Sequence, residues 1–175
     1  MKKIVLTFGI ISGVIASVLM VATIPFMDRI GFDYGLMIGY STMVVAFLLV
    51  FFGIRSYREN VGGGQISFGR AFSVGILIVL VSSILYVITW EILYFNFLPD
   101  FVDKYSNYLI EKSRASGASA EEIAAQTKQM NDMKVVYNNP LYNAAFTLLE
   151  PLPVGLVMTL ISAALLRRKG KPHAT

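Results

Sequence analysis

The sequence predicts an all-α integral membrane protein, a four-helix bundle with an extracytoplasmic helical hairpin between helices three and four. First, only 15% of the 175 residues are charged and 55% are hydrophobic, whereas a water-soluble domain carries about 25% charged residues. Second, the apolar residues form four blocks that are almost free of charge. Third, the basic residues between these blocks are distributed asymmetrically, which predicts an orientation in the membrane.

Each of the four blocks is long enough to cross a bilayer as a helix, because about 20 residues span a hydrocarbon core of about 30 Å. They cover residues 4–26, 34–54, 71–98 and 141–166. Membrane strands would alternate polar and apolar residues, whereas these blocks are apolar on all sides. The first block has 23 residues, more than the roughly 7–15 of a signal-peptide core, so we expect an uncleaved helix. The chain is predicted to form a single membrane domain over 1–175.

The basic residues are concentrated in the segments that four spans would place on one side of the membrane. The N-terminus, the loop 55–70 and the tail 167–175 hold nine basic residues and one acidic residue. The loop between the first two spans and the segment 99–140 hold six basic and eight acidic residues. Since basic loops face the cytoplasm, we expect a multi-pass protein of a bacterial inner (plasma) membrane with both termini cytoplasmic.

The net charge of +4 is therefore interpreted as a topology signal. A nucleic-acid partner is not expected, because the sequence contains neither a basic domain nor a known nucleic-acid-binding module. The expected partners are the lipid bilayer and either another membrane protein or further copies of the chain.

The long segment between the last two spans is predicted to fold as a periplasmic helical hairpin over about 99–139. Apolar residues recur at helical spacing in both of its halves. Ser119 and Glu122 fit a capping box that begins the second helix. Asn139 and Pro140 fit the start of the fourth span. The hairpin is expected either to cover the end of the bundle or to act as a lid or partner-binding surface.

Two glutamates, Glu91 and Glu150, are the only acidic residues inside the predicted spans. Carboxyl groups in hydrocarbon are costly and usually face the bundle interior, and both residues are expected at similar depth in the outer half. Pro151 and Pro153 remove helical N–H groups, which predicts a kink with free carbonyls. These four residues form a candidate polar site for a proton or cation. The alternatives are a satisfied structural pair and a contact to lipid or substrate.

Two further groups of residues are singled out by their type and position. Five arginines at the predicted cytoplasmic ends of the spans are candidate contacts to lipid phosphates: Arg55, Arg58, Arg70, Arg167 and Arg168. Two pairs of small residues, Gly9 with Gly13 and Gly35 with Gly39, predict close helix packing. We expect that packing within one chain, with packing between copies as the alternative.

Groups that support catalysis are scarce in the sequence. It contains no cysteine, and its one histidine, His173, lies two residues from the end. We therefore expect no metal site, no cofactor and no Ser-His-Asp triad. The predicted role is that of a non-enzymatic structural, accessory or interaction module. The alternative is a small transporter or channel subunit that uses Glu91 and Glu150 as a proton or cation site.

Several motifs resemble the bacterial family named domain of unknown function 4199. The clearest are FFGIRSYREN at 51–60 and GGQISFGRAF at 63–72. The shorter ones are PDF at 99–101, SGAS at 116–119, EIAAQ at 122–126, NPL at 139–141, PVGL at 153–156 and LISA at 160–163. The resemblance implies a four-span inner-membrane protein typical of Bacteroidetes. It implies no activity and no catalytic residues.

Overall fold

A computed structural model describes residues 1–168 of the chain. The predicted tail 167–175, with His173, lies outside the described residues from position 169 onward. The described part is helical and contains no β-strand. Its seven α-helices are α1 (Lys2–Thr23), α2 (Met27–Asn60), α3 (Phe68–Phe97), α4 (Phe101–Ala115), α5 (Ala120–Tyr137), α6 (Pro140–Leu149) and α7 (Pro151–Leu166).

Four helical stretches are long and apolar enough to cross a membrane. They are Lys2–Phe26, Arg29–Asn60, Phe68–Phe97 and Pro140–Leu166. The fourth stretch combines α6 and α7. The sequence prediction of four membrane-capable helices is therefore confirmed by their length and composition.

The connection between the first two spans is more helical than the sequence indicates. A 3-10 turn over Ile24–Phe26 follows α1, and α2 begins at Met27, seven residues before the predicted block at 34. Within α2, Gly31 is the residue with non-helical backbone angles. Its φ of 71° and ψ of 164° are readily adopted by glycine, which has no side chain.

The chain divides into two structural units. Within the described residues, the large unit comprises 1–86 and 148–168, and the small unit comprises 87–147. The large unit contains α1, α2, α7 and the first part of α3. The small unit contains α4, α5 and the adjoining parts of α3 and α6.

The core of the large unit combines apolar residues of α1, α2, α3 and α7. Val50, Ile54, Val74 and Ile78 are completely buried there. Helix α2 packs against both α1 and α7. Glycines bring the helices close together, since a Cβ atom built at Gly9 would lie only 2.7 Å from Val81 Cβ on α3.

In the small unit α4 packs against α5. Lys134 Nζ on α5 lies 2.6 Å from both carboxylate oxygens of Asp103 on α4. The predicted capping box is present, because Ser119 Oγ accepts from the Glu122 N–H and the Ser119 N–H donates to the Glu122 carboxylate. The start of α5 is thus stabilised by two reciprocal hydrogen bonds.

Candidate functional site

Glu150 belongs to the large unit and lies where the fourth span is interrupted. Helix α6 ends at Leu149 and α7 begins at Pro151. Glu150 itself keeps helical backbone angles, with φ −64° and ψ −52°. Pro151 and Pro153 have no N–H to donate. The break between α6 and α7 therefore comes from missing backbone hydrogen bonds and not from a change of the backbone angles at Glu150.

The Glu150 side chain is exposed and contacts α3 through Tyr86. The Tyr86 hydroxyl donates to Glu150 Oε2 at 3.4 Å, which is long for a bond between two oxygens. One turn earlier on α3, the Ser83 hydroxyl is fully buried and has no hydrogen-bond partner within residues 1–168. Buried polar groups normally find partners. The Glu150 carboxylate and the Ser83 hydroxyl can therefore form further hydrogen bonds.

Glu91 belongs to the small unit and lies on α3. Its side chain is half-buried. Its Oε1 atom is buried without a hydrogen-bond partner among the described residues. Glu91 and Glu150 fall in different units. Their predicted pairing stays a prediction.

Asn143 is the polar centre of the small unit and was not singled out by the sequence analysis. It is completely buried. Its Oδ1 accepts from Trp90 Nε1 at 3.0 Å and from Thr147 Oγ1 at 3.2 Å, and its Nδ2 donates to the Tyr137 carbonyl at 3.1 Å. The signal in the sequence was an amide side chain just inside the apolar block 141–166, where such a group needs internal partners.

Aromatic rings surround this amide network. The Trp90 ring lies 5.1 Å from the Phe101 ring in a T-shaped arrangement and 5.9 Å from the Tyr94 ring. Tyr137 stacks on Phe146 at 6.0 Å. Of these five rings only Tyr94 is buried, and Phe146 is 46% exposed, so the aromatic contacts lie partly at the surface of the small unit.

The predicted arginine contacts divide into two groups. Arg55 Nε donates to Glu59 Oε1 at 3.0 Å, and Arg58 donates to the same oxygen at 3.2 Å. Arg58 also donates to the Leu166 carbonyl at the end of α7, at 3.4 Å. These two arginines are therefore engaged with Glu59 and with the end of α7.

The other three arginines, Arg70, Arg167 and Arg168, are exposed. The backbone of Arg168 pairs with that of Ile66, with N···O distances of 2.9 and 3.2 Å. This isolated antiparallel bridge joins the loop between α2 and α3 to the end of α7. Arg168 therefore lies beside this loop, which begins just after the last turn of α2, where Arg58 lies.

The two predicted glycine pairs have different surroundings. Gly9 and Gly13 lie directly against α3, where a Cβ atom at Gly13 would be 2.8 Å from Leu85 Cβ. At Gly35 and Gly39 no atom of the described residues lies within 4 Å of a Cβ position. The close approach seen at Gly9 and Gly13 is therefore not repeated at Gly35 and Gly39 within the described residues, and the packing partner of that pair stays a prediction.

A shallow depression lies at the turn between α4 and α5. Its lining includes Ser113, Gly117, Glu122 and Gln126. The Ser119 backbone N–H donates to Glu122 Oε2 at 2.7 Å, and this bond holds the pKa of the Glu122 carboxyl below its usual value. Glu122 thus acts as an ionised cap of its own helix.

No group of three or more His, Cys, Asp or Glu side chains that could hold a metal ion occurs within residues 1–168. The family model described as protein of unknown function (DUF4199) matches residues 7–168. Searches of the curated proteins and of the solved structures give no match.

Proposed function

The chain belongs to the DUF4199 family, and we propose that it is a multi-pass protein of a bacterial inner membrane with both termini in the cytoplasm. In this proposal the four long apolar helices form a bundle in the bilayer, and α4 and α5 form a helical hairpin on the periplasmic side. The protein acts as a non-enzymatic structural, accessory or interaction module.

The observation that carries this proposal is the apolar exterior of the large unit. Large aliphatic side chains on its helices are at least half exposed, namely Val18 (61%), Val45 (53%), Ile84 (54%) and Val157 (54%). Small hydroxyl residues are buried instead, namely Ser12, Ser82, Ser83, Thr159 and Ser162. Large exposed apolar surfaces are unfavourable in water, whereas helices in lipid pack through small and hydroxyl residues and expose aliphatic ones.

The charge at the two ends of the large unit supports the orientation. Ser12 Oγ on α1 donates to the Ala46 carbonyl on α2 at 2.9 Å, and a Cβ at Gly53 would lie 3.2 Å from Phe8. Helices α1 and α2 are therefore antiparallel, so the N-terminus lies at the end where α2 finishes. That end carries one acidic residue, Glu59, and the basic residues Lys2, Lys3, Arg55, Arg58, Arg70, Arg167 and Arg168.

The opposite end of the large unit is the connection between the first two spans, and it carries Asp28, Arg29 and Asp33. Basic residues are retained on the cytoplasmic side of membrane proteins. This difference supports a cytoplasmic position for the end that contains the N-terminus and the last residues of α7.

Several acidic side chains support a structural role over a catalytic one. Glu59 pairs with Arg55 and Arg58, and Asp103 pairs with Lys134. Glu122 caps α5. Each of these carboxylates is engaged in stabilising a helix or in joining two helices.

Cysteine accessibility tests the membrane location and the orientation directly, because the chain has no cysteine of its own. Gln65→Cys lies in the loop between α2 and α3, and Ser116→Cys lies in the turn between α4 and α5; both positions are exposed. In spheroplasts, an impermeant maleimide should label Ser116→Cys, and should label Gln65→Cys only after lysis. Labelling of both from the same side would overturn the four-span arrangement.

The second candidate function is a small transporter or channel subunit that uses Glu91 and Glu150. It is favoured by the exposed Glu150 carboxylate, which accepts a long hydrogen bond from Tyr86, and by the buried Oε1 of Glu91, which has no hydrogen-bond partner among residues 1–168. In proteoliposomes, Glu91→Gln and Glu150→Gln should each abolish proton or cation flux without reducing the amount of incorporated protein. Wild-type flux in both variants, or no flux in the wild type, would contradict this candidate.

A further inference from the structure

We propose that Arg70, Arg167 and Arg168 form a binding site for the phosphate group of an anionic membrane lipid. The site lies at the end of the large unit where the loop between α2 and α3 meets the end of α7. This inference rests on the proposed membrane location and adds a ligand class to it.

The loop that separates α2 from α3 is held in place on both sides. The Gly64 N–H donates to the Arg58 carbonyl at 2.9 Å, which folds the loop back on α2. Two backbone hydrogen bonds between Ile66 and Arg168 attach it to the residue just beyond α7. A Cβ atom at Gly62 would collide with the Gln65 carbonyl oxygen, so glycine is required for this turn. The arginines at this end therefore project from a fixed backbone.

The register of α3 and α7 places Arg70 at the same end as Arg167. A Cβ atom at Gly75 would lie 2.7 Å from Thr159 Cγ2, and one at Gly155 would contact the Val79 side chain. From the first contact to the second, the position moves one turn forward along α3 and one turn back along α7, so the two helices are antiparallel. The next turn brings Ala71 opposite Ala163, and both are completely buried. Arg70 directly precedes Ala71, and Arg167 follows Ala163 by one turn.

The charges at this end are not balanced within the described chain. Glu59 accepts hydrogen bonds from Arg55 and Arg58. Arg70, Arg167 and Arg168 form no ion pair with any described residue, and all three are exposed. Guanidinium groups bind phosphate oxygens through two parallel N–H bonds. Lipid phosphates lie at the ends of spanning helices, and anionic lipids attract basic residues at the cytoplasmic surface.

The test compares the double variant Arg167→Gln/Arg168→Gln with a control that loses the same charge elsewhere. The control is Arg29→Gln/Arg114→Gln, whose two arginines are also exposed and lie at other ends of helices. Titration of each purified protein in detergent with phosphatidylglycerol, followed by native mass spectrometry, gives the affinity for the lipid. At about fivefold per basic residue, the first variant should bind roughly 25-fold more weakly, and the control should match the wild type. Equal affinities of the two variants would overturn the proposal.

A third variant separates loss of the site from loss of the fold. Arg167→Lys/Arg168→Lys keeps both charges but loses the paired N–H geometry of the guanidinium groups, so its affinity should lie between those of the wild type and the glutamine variant. A loss as large as in the glutamine variant would mean that the substitutions disturb the end of α7, and would contradict a phosphate site.

The source of the phosphate is tested with two competitors. Phosphatidylcholine should bind much more weakly than phosphatidylglycerol because its net charge is zero, and millimolar inorganic phosphate should not displace the anionic lipid. Displacement by free phosphate would contradict a lipid site. Because the titration is done in detergent, its result does not depend on the orientation of the protein, so failure of the site and failure of the proposed topology are distinguishable.

Discussion

The helices of the large unit approach one another through glycines and hydroxyl groups, whereas those of the small unit meet through aromatic rings, a buried amide and an ion pair. In the large unit, Ser82 Oγ donates to Ser12 Oγ at 3.1 Å, and Ser12 continues to the Ala46 carbonyl. In the small unit, Asn143 bonds to Trp90, Thr147 and Tyr137.

Part of this difference follows from the proposed solvent, because α4 and α5 are placed next to water, whereas Trp90, Asn143 and Thr147 lie in the third and fourth apolar helices. Apolar side chains gain nothing by leaving lipid for a protein interior, so helices in a bilayer are stabilised by close approach and by hydrogen bonds between them. Helices next to water gain free energy by burying aromatic and apolar area.

The largest effect is expected from filling a close contact in the large unit. In Gly9→Leu the new side chain would occupy the space of Val81, whose Cβ lies 2.7 Å from the Cβ position. Overpacking of this kind costs about 3 kcal/mol at the upper end of its usual range. Thermal unfolding in detergent, followed by helical circular dichroism, measures the change.

The matched control is Gly39→Leu on α2, where nothing within the described residues lies near the Cβ position. Its stability should stay within about 1 kcal/mol of the wild type. Equal unfolding temperatures of the two variants would contradict a tighter helix contact at Gly9 than at Gly39.

A smaller effect is expected from removing the central amide of the small unit. Asn143→Leu keeps a similar volume but leaves the Trp90 N–H and the Tyr137 carbonyl without their partner. The expected loss is about 2 kcal/mol, since an unsatisfied buried polar group costs about 1–3 kcal/mol. Trp90 is the one tryptophan of the sequence, so its fluorescence reports on the small unit.

The control for this amide is Asn96→Leu. Asn96 is exposed and donates only to the Ile92 carbonyl of its own helix among the described contacts. Its fluorescence transition should coincide with that of the wild type. A transition shifted as far as that of Asn143→Leu would show that the amide network has no special role.

The ion pair between α4 and α5 should contribute less than the amide. Lys134 and Asp103 side chains are 42% and 48% exposed, and pairs of this kind contribute at most about 1 kcal/mol. Lys134→Met should therefore lower the fluorescence transition slightly in low salt and have no effect in high salt. Lys128→Met, at an exposed position of the same helix, should have no effect in either.

The smallest effect concerns the pH dependence of the start of α5. The Ser119 backbone N–H lowers the pKa of Glu122 in the folded state. The unfolded state therefore binds the proton more tightly, so the stabilisation is complete above the ordinary glutamate pKa and is lost as the pH falls through the lower folded value. The protection of amides at the start of α5, corrected for the intrinsic exchange rate at each pH, should fall over this range in the wild type. It should change less in Glu122→Gln, whereas Glu121→Gln should behave as the wild type.

Features encoded by neighbouring residues could be predicted from the sequence. The four apolar helices follow from the length and composition of the blocks. The capping box at Ser119 and Glu122 depends on residues three positions apart, so its two hydrogen bonds follow from local geometry. The positive φ at Gly31 and the early start of α2 were not anticipated, because the charged residues around Gly31 indicated a loop.

Features that depend on distant contacts could not be predicted. Asn143 and Trp90 are 53 residues apart, so nothing near either residue in the sequence indicates their hydrogen bond. Likewise, Gly9 and Gly39 occur in the same small-residue pattern, but among the described residues only Gly9 has a neighbouring helix within 4 Å of its Cβ position. The pairing of Arg55 and Arg58 with Glu59, by contrast, joins residues at most four positions apart, so the sequence could have separated these two arginines from the other three.

The central claim is that the exposed aliphatic residues of the large unit face lipid. Spin labels at Val45→Cys on α2 and Val135→Cys on α5 compare two valines that are 53% and 74% exposed. In reconstituted bilayers, relaxation by oxygen and by a water-soluble nickel chelate measures which solvent each label meets. We predict that the label at position 45 responds to oxygen and not to nickel, and that the label at 135 responds to nickel. Strong relaxation by nickel at position 45 would contradict the account.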